Sequence, residues 1–198
     1  MKIIKSLTTL FFMTLLVVSC DQQGKNTETN EQSKKQINEQ ITMDNYNPEA
    51  KLKALNITLP EPPSPVANYV NGVRAGNLIF LAGKGPKRAD GTEMSGKLGV
   101  DISIEQGYEG ARLTAINQLA VLKEMLGDLN KVKRIVKVLG LVNCDPNFIE
   151  QPKVINGFSD LMVEVFGERG KHARAAIGVA SLPRAQAVEI ELVVEVYD

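Results

Sequence analysis

The sequence predicts one α+β domain whose mixed β-sheet carries two helices on one face. Three observations predict this class: two short apolar runs separated by a glycine-containing turn, two segments of helical length and pattern, and a final strand of strict two-residue alternation. Their order along the chain is β-β-α-β-α-β-β, which folds as a sheet with its helices segregated to one side. The roughly 150 residues that carry this pattern are enough for a single hydrophobic core.

The first predicted elements are a hairpin and a long loop. Tyr69–Val73 and Leu78–Ala82 flank Arg-Ala-Gly-Asn, a spacing typical of two antiparallel strands joined by a short turn. Residues 83–103 contain five glycines and several charges, which predict a loop with a local turn at Ala-Asp-Gly, residues 89–91. Long loops in compact domains are often functional.

Helices and strands then alternate. Ser103 is placed to cap a helix over residues 104–126, and Gly127 is placed to end it. The β-branched run Val132–Val142 predicts a buried strand, and residues 148–166 predict a second helix. The last two predicted strands are Ala175–Ala180 and Val188–Val196.

The last strand has the sharpest pattern in the chain. Every second residue is apolar, which predicts one face packed on the helices. The other face presents three carboxylates and a valine: Glu189, Glu191, Glu195 and Val193. This face is either solvated or covered by another subunit, and in the second case the carboxylates need partners or a wet cleft.

The N-terminus has the three parts of an export signal. Lys2 and Lys5 precede an apolar run over residues 7–18, and Ser19 precedes Cys20. The run is about 12 residues long, whereas a helix needs ~20 to span a bilayer. The ending Leu-Val-Val-Ser-Cys resembles a bacterial lipoprotein box, so we expect residues 1–19 to be removed and Cys20 to carry lipid. The alternative is an ordinary secretory signal with a chance cysteine.

A polar segment separates this signal from the domain. Residues 20–47 are rich in Gln, Asn, Lys, Glu and Thr, which predicts a flexible tether, and the domain is predicted over 48–198. Pro48 and the prolines of residues 60–65 predict extended segments leading into it. We therefore expect an exported protein held to a bacterial membrane by lipid, on a leaflet that the sequence leaves open.

Charge and residue counts argue against several classes of function. The 23 basic and 23 acidic residues balance, which argues against nucleic acid as a partner. The one histidine, His172, and the two cysteines form no cluster, so we predict no metal site and no cofactor. Cys144 ends an apolar run, which favours a buried structural thiol over a nucleophile.

Four segments together resemble the RidA family, also called YjgF or endoribonuclease L-PSP, in its branch with a chorismate-mutase-like fold. They are Tyr-Val-Asn-Gly at 69–72, Gly-Asn-Leu-Ile-Phe-Leu-Ala-Gly-Lys-Gly-Pro at 76–86, His-Ala-Arg-Ala-Ala-Ile-Gly-Val-Ala-Ser-Leu-Pro at 172–183, and Val-Glu-Ile-Glu-Leu at 188–192. The resemblance implies a homotrimer whose sheets form a central barrel, with ligand clefts between subunits. It also implies hydrolysis of reactive enamines and imines to 2-keto acids and ammonia.

The resemblance assigns roles to four residues. Arg174 corresponds to the arginine that grips the substrate carboxylate, for which a guanidinium fork is suited, although an interface ion pair is the alternative. Glu189 corresponds to the acid that positions or activates the attacking water. Tyr69 corresponds to a cleft tyrosine from the neighbouring subunit, with ordinary strand packing as its alternative. Asn156 corresponds to a cleft asparagine.

The chain also departs from the family pattern. Ala82 stands where a serine is usual, Ala176 replaces a cysteine, serine or threonine, and Lys84 replaces a common glutamine. Lys97, in a loop longer than usual, could reach an anionic group or simply be solvated. His172 shares the strand face of the arginine and is interpreted as a rim residue.

Three functions follow from these observations. The first is an imine or enamine hydrolase, supported by the Arg174–Glu189 pair. The second is a non-catalytic trimer that binds a small carboxylate, since the alanine replacements would be tolerated there. The third is an endoribonuclease, for which one histidine and a balanced charge are thin support.

Overall fold

A computed structural model describes residues 46–62 and 64–197. The predicted signal, the predicted lipidation site Cys20 and nearly all of the predicted tether lie outside the described residues. No helix in the described part of the chain is long and apolar enough to cross a membrane.

Five strands form one mixed sheet in the order β1-β2-β5-β3-β4. Their bounds are β1 Gly72–Ala75, β2 Leu78–Lys84, β3 Val132–Asn143, β4 Ala173–Val179 and β5 Val188–Val196. Strands β3 and β4 are parallel, and the remaining pairs are antiparallel. Strand β4 therefore lies at one edge and β5 at the centre, with the acidic start of β5 between β2 and β3.

The two long predicted helices cover one face of this sheet. Helix α2, Ile104–Leu126, begins at a capping box between Ser103 and Gln106 and ends at Gly127 with φ of +73°. Helix α3, Gln151–Phe166, packs beside it. The core lies between these helices and the sheet, and the fully buried Ile190, Val194 and Leu161 belong to it. The predicted α+β class is confirmed.

The structure contains a further helix that the sequence reasoning missed. Helix α1, Pro48–Ala54, occupies residues where Pro48 had been interpreted as extended chain. That interpretation was wrong, because proline suits the first helical position, where its missing N–H would be unpaired anyway. The Asn47 side chain caps the helix by accepting from Ala50 N at 2.9 Å. Leu52 is buried in the core, and Glu49 pairs with Lys123 of α2.

Gly157 sets how closely α2 and α3 approach. A Cβ at this position would overlap the carbonyl oxygen of Tyr108 and lie 3.1 Å from the amide nitrogen of Arg112. Both atoms belong to the backbone of α2, so the clash cannot be relieved by a rotamer change.

Replacing Gly157 with alanine should therefore lower the free energy of unfolding by about 3 kcal/mol, since overpacking forces the backbones apart. Chemical denaturation measures this change. Gly110→Ala is the matched control, because its Cβ would come close only to the flexible Met94 side chain, with Sδ at 2.9 Å, and would make an ordinary contact with Pro86 Cβ at 3.7 Å. Equal stability of the two variants would contradict the assigned role of Gly157.

Candidate active site

Glu189 lies near the start of β5 on the face turned away from the helices. Its neighbours Val188 and Ile190 are fully buried, so strand alternation places Glu189 on the opposite face. Its carboxylate lies against Gly83 of β2, where a Cβ would overlap Oε1. Because Gly83 has no side chain, the Glu189 carboxylate can lie in this position between β2 and β5.

The surroundings of Glu189 favour its protonated form. Burial is the main cause that raises the pKa of Glu189, and the nearby Glu191 carboxylate acts in the same direction. The Arg184 and Lys84 cations oppose this effect. A carboxyl group whose pKa is raised holds a proton more strongly than a solvated one, which suits it to proton transfer.

Lys84 adds a nearly buried ammonium group to the same cluster. Its Nζ donates to Asn71 Oδ1 at 2.6 Å. Burial lowers the pKa of Lys84, and the Glu189 carboxylate opposes that shift. The pairing of β2 with β5 shifts register between Leu81 and Lys84. Simple alternation along the sequence therefore does not predict where Lys84 lies.

Arg184 completes the cluster from the segment before β5. Its Nε and Nη2 donate to the two carboxylate oxygens of Glu93 at 2.7 and 2.9 Å. The backbones of Arg184 and Ala185 have φ of 55° and 53°, a left-handed conformation that costs energy in non-glycine residues and is concentrated at functional sites. The Arg184–Glu93 ion pair therefore holds the 83–103 loop beside Glu189.

Ala82 and Tyr69 lie beside this cluster. Ala82 N–H donates to Asn71 O at 2.9 Å, and Ala82 O accepts from the buried Gln118 Nε2 at 3.0 Å. The same nitrogen reaches Ile190 O at 2.7 Å, so one amide holds β2 and β5 together at the register shift. Tyr69 is 47% exposed, precedes β1 and contributes to the charge environment of Arg184.

Arg174 lies on the edge strand β4, and its side chain points to the helix side of the sheet, opposite to Glu189. Its register partner Val138 is fully buried on the helix side, and Arg174 itself reaches α3. Its Nη1 donates to Asn156 Oδ1 at 2.9 Å and to Ser159 Oγ at 3.0 Å. Within one chain, Arg174 and Glu189 therefore lie on opposite faces of the sheet. Of the other predicted site residues, Arg174 contacts only Asn156.

The sequence of this chain matches a known protein family. A sequence model described as "YjgF/chorismate mutase-like, putative endoribonuclease" matches residues 49–196. The chain belongs to this family. The predicted resemblance is thereby confirmed at the level of family and fold.

Three similar proteins each align with most of this chain. Protein TCP17 of Trypanosoma cruzi is 44% identical over 147 residues, which are 74% of this chain and 92% of that protein. The crystal structure of Atu1372 from Agrobacterium tumefaciens, of unknown function, is 42% identical with a TM-score of 0.71, covering 80% of this chain and 97% of that one. A "putative endoribonuclease" from Shewanella oneidensis is 32% identical with a TM-score of 0.73, covering 76% and 99%.

Beside Arg174, this YjgF-family chain carries a histidine and a serine. His172 Nδ1 lies 2.6 Å from Gly170 O, and its Nε2 lies 3.0 Å from Ser159 Oγ. Burial lowers the pKa of His172, the Gly170 carbonyl opposes this, and the positive charge of Arg174 lowers it further. His172 therefore lies on the same side as Arg174, although β4 begins one residue after it, at Ala173. Ser159 was not predicted, since a lone serine in a helix gives no signal in sequence.

The remaining predicted positions serve the scaffold. Lys97 Nζ donates to Ala180 O at 2.8 Å, which ties the 83–103 loop to the chain after β4. Ala176 packs against the core, so its methyl group suits its surroundings. Cys144 is buried, as predicted, with Gln151 Nε2 at 3.7 Å from its sulfur. Across residues 46–62 and 64–197, no three His, Cys, Asp or Glu side chains are grouped to hold a metal ion.

Proposed function

We propose that this protein hydrolyses imines and enamines of small carboxylic acids to 2-keto acids and ammonia, as the RidA resemblance implies. We also propose that it acts as a homotrimer, with each site shared between two subunits. Export and a lipid at Cys20 would hold it to a bacterial membrane. The observation that carries the chemical proposal is the arrangement of Arg174 on β4.

Arg174 is held so that one edge of its guanidinium remains available. Both of its hydrogen bonds within the described residues leave from Nη1, to Asn156 and Ser159. The N–H groups of Nη2 and Nε thus have no partner in that part of the chain. A guanidinium edge of this kind binds two carboxylate oxygens in parallel.

Glu189 supplies the proton transfers that imine hydrolysis needs. Water adds to the carbon of the protonated C=N bond and loses a proton to the Glu189 carboxylate, which gives a neutral carbinolamine. Glu189 returns this proton to the amine nitrogen, the C–N bond breaks to release ammonia, and the hydroxyl proton passes to solvent as the carbonyl group forms. A carboxyl group with a raised pKa can both accept and return a proton in such a sequence.

The shared site follows from the positions of the two residues. Because Arg174 and Glu189 face opposite sides of one sheet, a ligand that touches both requires two copies of the chain. The face that carries Glu189 also exposes large apolar side chains, including Phe80 at 46% and Ile177 at 47%. Burial of these side chains between subunits would favour such an assembly.

A non-catalytic carboxylate-binding protein is the second candidate. The alanines at 82 and 176 favour it, because they provide no hydroxyl or thiol group to orient a substrate or a water molecule. Binding by Arg174 needs neither of them. Ammonia release from a freshly generated imine distinguishes a catalyst from a binding protein.

Replacing Arg174 with alanine should weaken binding of pyruvate, a stable 2-keto acid, by about 100-fold, since two charge-assisted hydrogen bonds are lost. Calorimetry measures the affinity, and ammonia release from 2-aminoacrylate measures turnover. Arg74→Ala, an exposed arginine on the opposite edge strand β1, is the matched control. An unchanged affinity of Arg174→Ala for pyruvate would contradict the proposed site.

A further inference from the structure

His172, Ser159 and Arg174 form a chain of hydrogen bonds that ends at the proposed carboxylate-binding group. The links are His172 Nδ1 to Gly170 O at 2.6 Å, Ser159 Oγ to His172 Nε2 at 3.0 Å, and Arg174 Nη1 to Ser159 Oγ at 3.0 Å. His172 and Ser159 are both partly buried, and they come from different parts of the chain: His172 directly precedes β4, and Ser159 lies in α3.

The direction of every hydrogen bond in this chain follows from chemistry. A backbone carbonyl can only accept, so His172 Nδ1 carries the proton. In the neutral ring Nε2 is then an acceptor, and the Ser159 hydroxyl must donate to it. The lone pairs of Ser159 Oγ are thereby turned towards Arg174 Nη1, which can only donate. The Gly170 carbonyl thus orients the ring, the ring orients the hydroxyl, and the hydroxyl acts together with Asn156 to orient the guanidinium.

We propose that His172 and Ser159 are positioning residues that hold the Arg174 guanidinium in the orientation required for carboxylate binding. This inference rests on the proposed function of Arg174. Asn156 holds the same Nη1 from a second direction, so neither partner alone fixes the guanidinium plane. Loss of the Ser159 hydroxyl leaves Arg174 attached at one point and able to rotate, and loss of His172 leaves the hydroxyl without a fixed direction.

The expected effect is on binding rather than on the chemical step. Ser159→Ala and His172→Ala should each weaken pyruvate binding by about tenfold, in line with the loss of one hydrogen bond to a charged group. In turnover, KM for the imine should rise while kcat changes little. Ser159→Thr retains the hydroxyl and should restore binding to near the wild-type level. Ser64→Ala, at an exposed serine, is the control.

The full-length protein allows an independent test, because His172 is the only histidine in the chain. Its ring nitrogens give one pair of ¹⁵N signals, which should show a protonated Nδ1 and an accepting Nε2 at neutral pH. Ser159→Ala should shift the Nε2 signal. A ring protonated at Nε2, or an Nε2 signal unchanged in Ser159→Ala, would overturn the inference whatever the ligand does.

The binding outcomes separate this inference from the proposed function. Failure of the wild type to bind pyruvate would overturn the proposed function together with the inference that rests on it. Wild-type binding that is lost in Arg174→Ala but retained in Ser159→Ala and His172→Ala would overturn the inference alone. Weakened binding in both variants with rescue by Ser159→Thr is the result expected.

Discussion

Replacing Glu189 with glutamine is expected to lower kcat for imine hydrolysis by about 10²–10⁴-fold, the usual contribution of a general acid–base group. Glutamine keeps the size and most of the hydrogen bonding of the side chain but cannot accept a proton. Because the proposed function assigns carboxylate binding to Arg174 and not to Glu189, KM should change little. Steady-state kinetics of ammonia release provides both constants.

The control for this substitution lies on the same strand face. Glu191→Gln removes the next carboxylate along β5, which is exposed, and is expected to retain activity. Equal loss in the two variants would mean that the acidic face acts through its overall charge and not through Glu189. Full activity of Glu189→Gln would remove Glu189 from the mechanism.

Unfolding cannot account for the expected loss. Burial raises the pKa of Glu189 in the folded protein above its ordinary value. Its contribution to stability is therefore fully present below the ordinary pKa and is lost as pH rises through the folded pKa. Above the ordinary pKa of a glutamate, burial of this group therefore lowers the free energy of unfolding, and glutamine removes that cost. Glu189→Gln should then be at least as stable as the wild type at pH 7, which thermal denaturation tests.

The sequence predicted the fold best where a single local sequence pattern determines the element. Every second residue from 188 to 196 is apolar, and β5 has these bounds in the structure. Ser103 and Gly127 bound α2 as expected, because a capping box and a left-handed glycine are local signals. The start of β1 was predicted three residues too early, because Tyr69 and Val70 have high β-propensity but lie outside the strand pairing, 47% and 57% exposed.

The candidate site was less predictable, since it depends on contacts between distant residues. The motif selected Arg174 and Glu189 as candidates, but it did not show that they face opposite sides of the sheet, which depends on register. Arg184 and Glu93 are separated by 91 residues, and nothing in the local sequence of either indicates the other. The nearly buried position of Lys84 follows from the register shift between β2 and β5, which alternation does not reveal.

Subunit mixing gives the most direct test of a shared site. Arg174→Ala and Glu189→Gln are each expected to be nearly inactive when every subunit carries the same change. If a site takes Arg174 from one subunit and Glu189 from its neighbour, trimers assembled from equal amounts of both variants regain intact sites. With cyclic symmetry and random assembly, about one quarter of all sites receive both wild-type residues, which corresponds to one intact site in each trimer that contains both variants.

Co-expression with two different affinity tags, followed by sequential purification, isolates the mixed trimers for this assay. The double variant Arg174→Ala/Glu189→Gln, co-expressed with wild type, is the control: it leaves intact only the sites formed between two wild-type subunits. Recovery of activity in the mixed single variants requires that the two residues meet across an interface. No recovery, in trimers shown to contain both tags, would mean that the residues do not serve one ligand and would overturn the shared site.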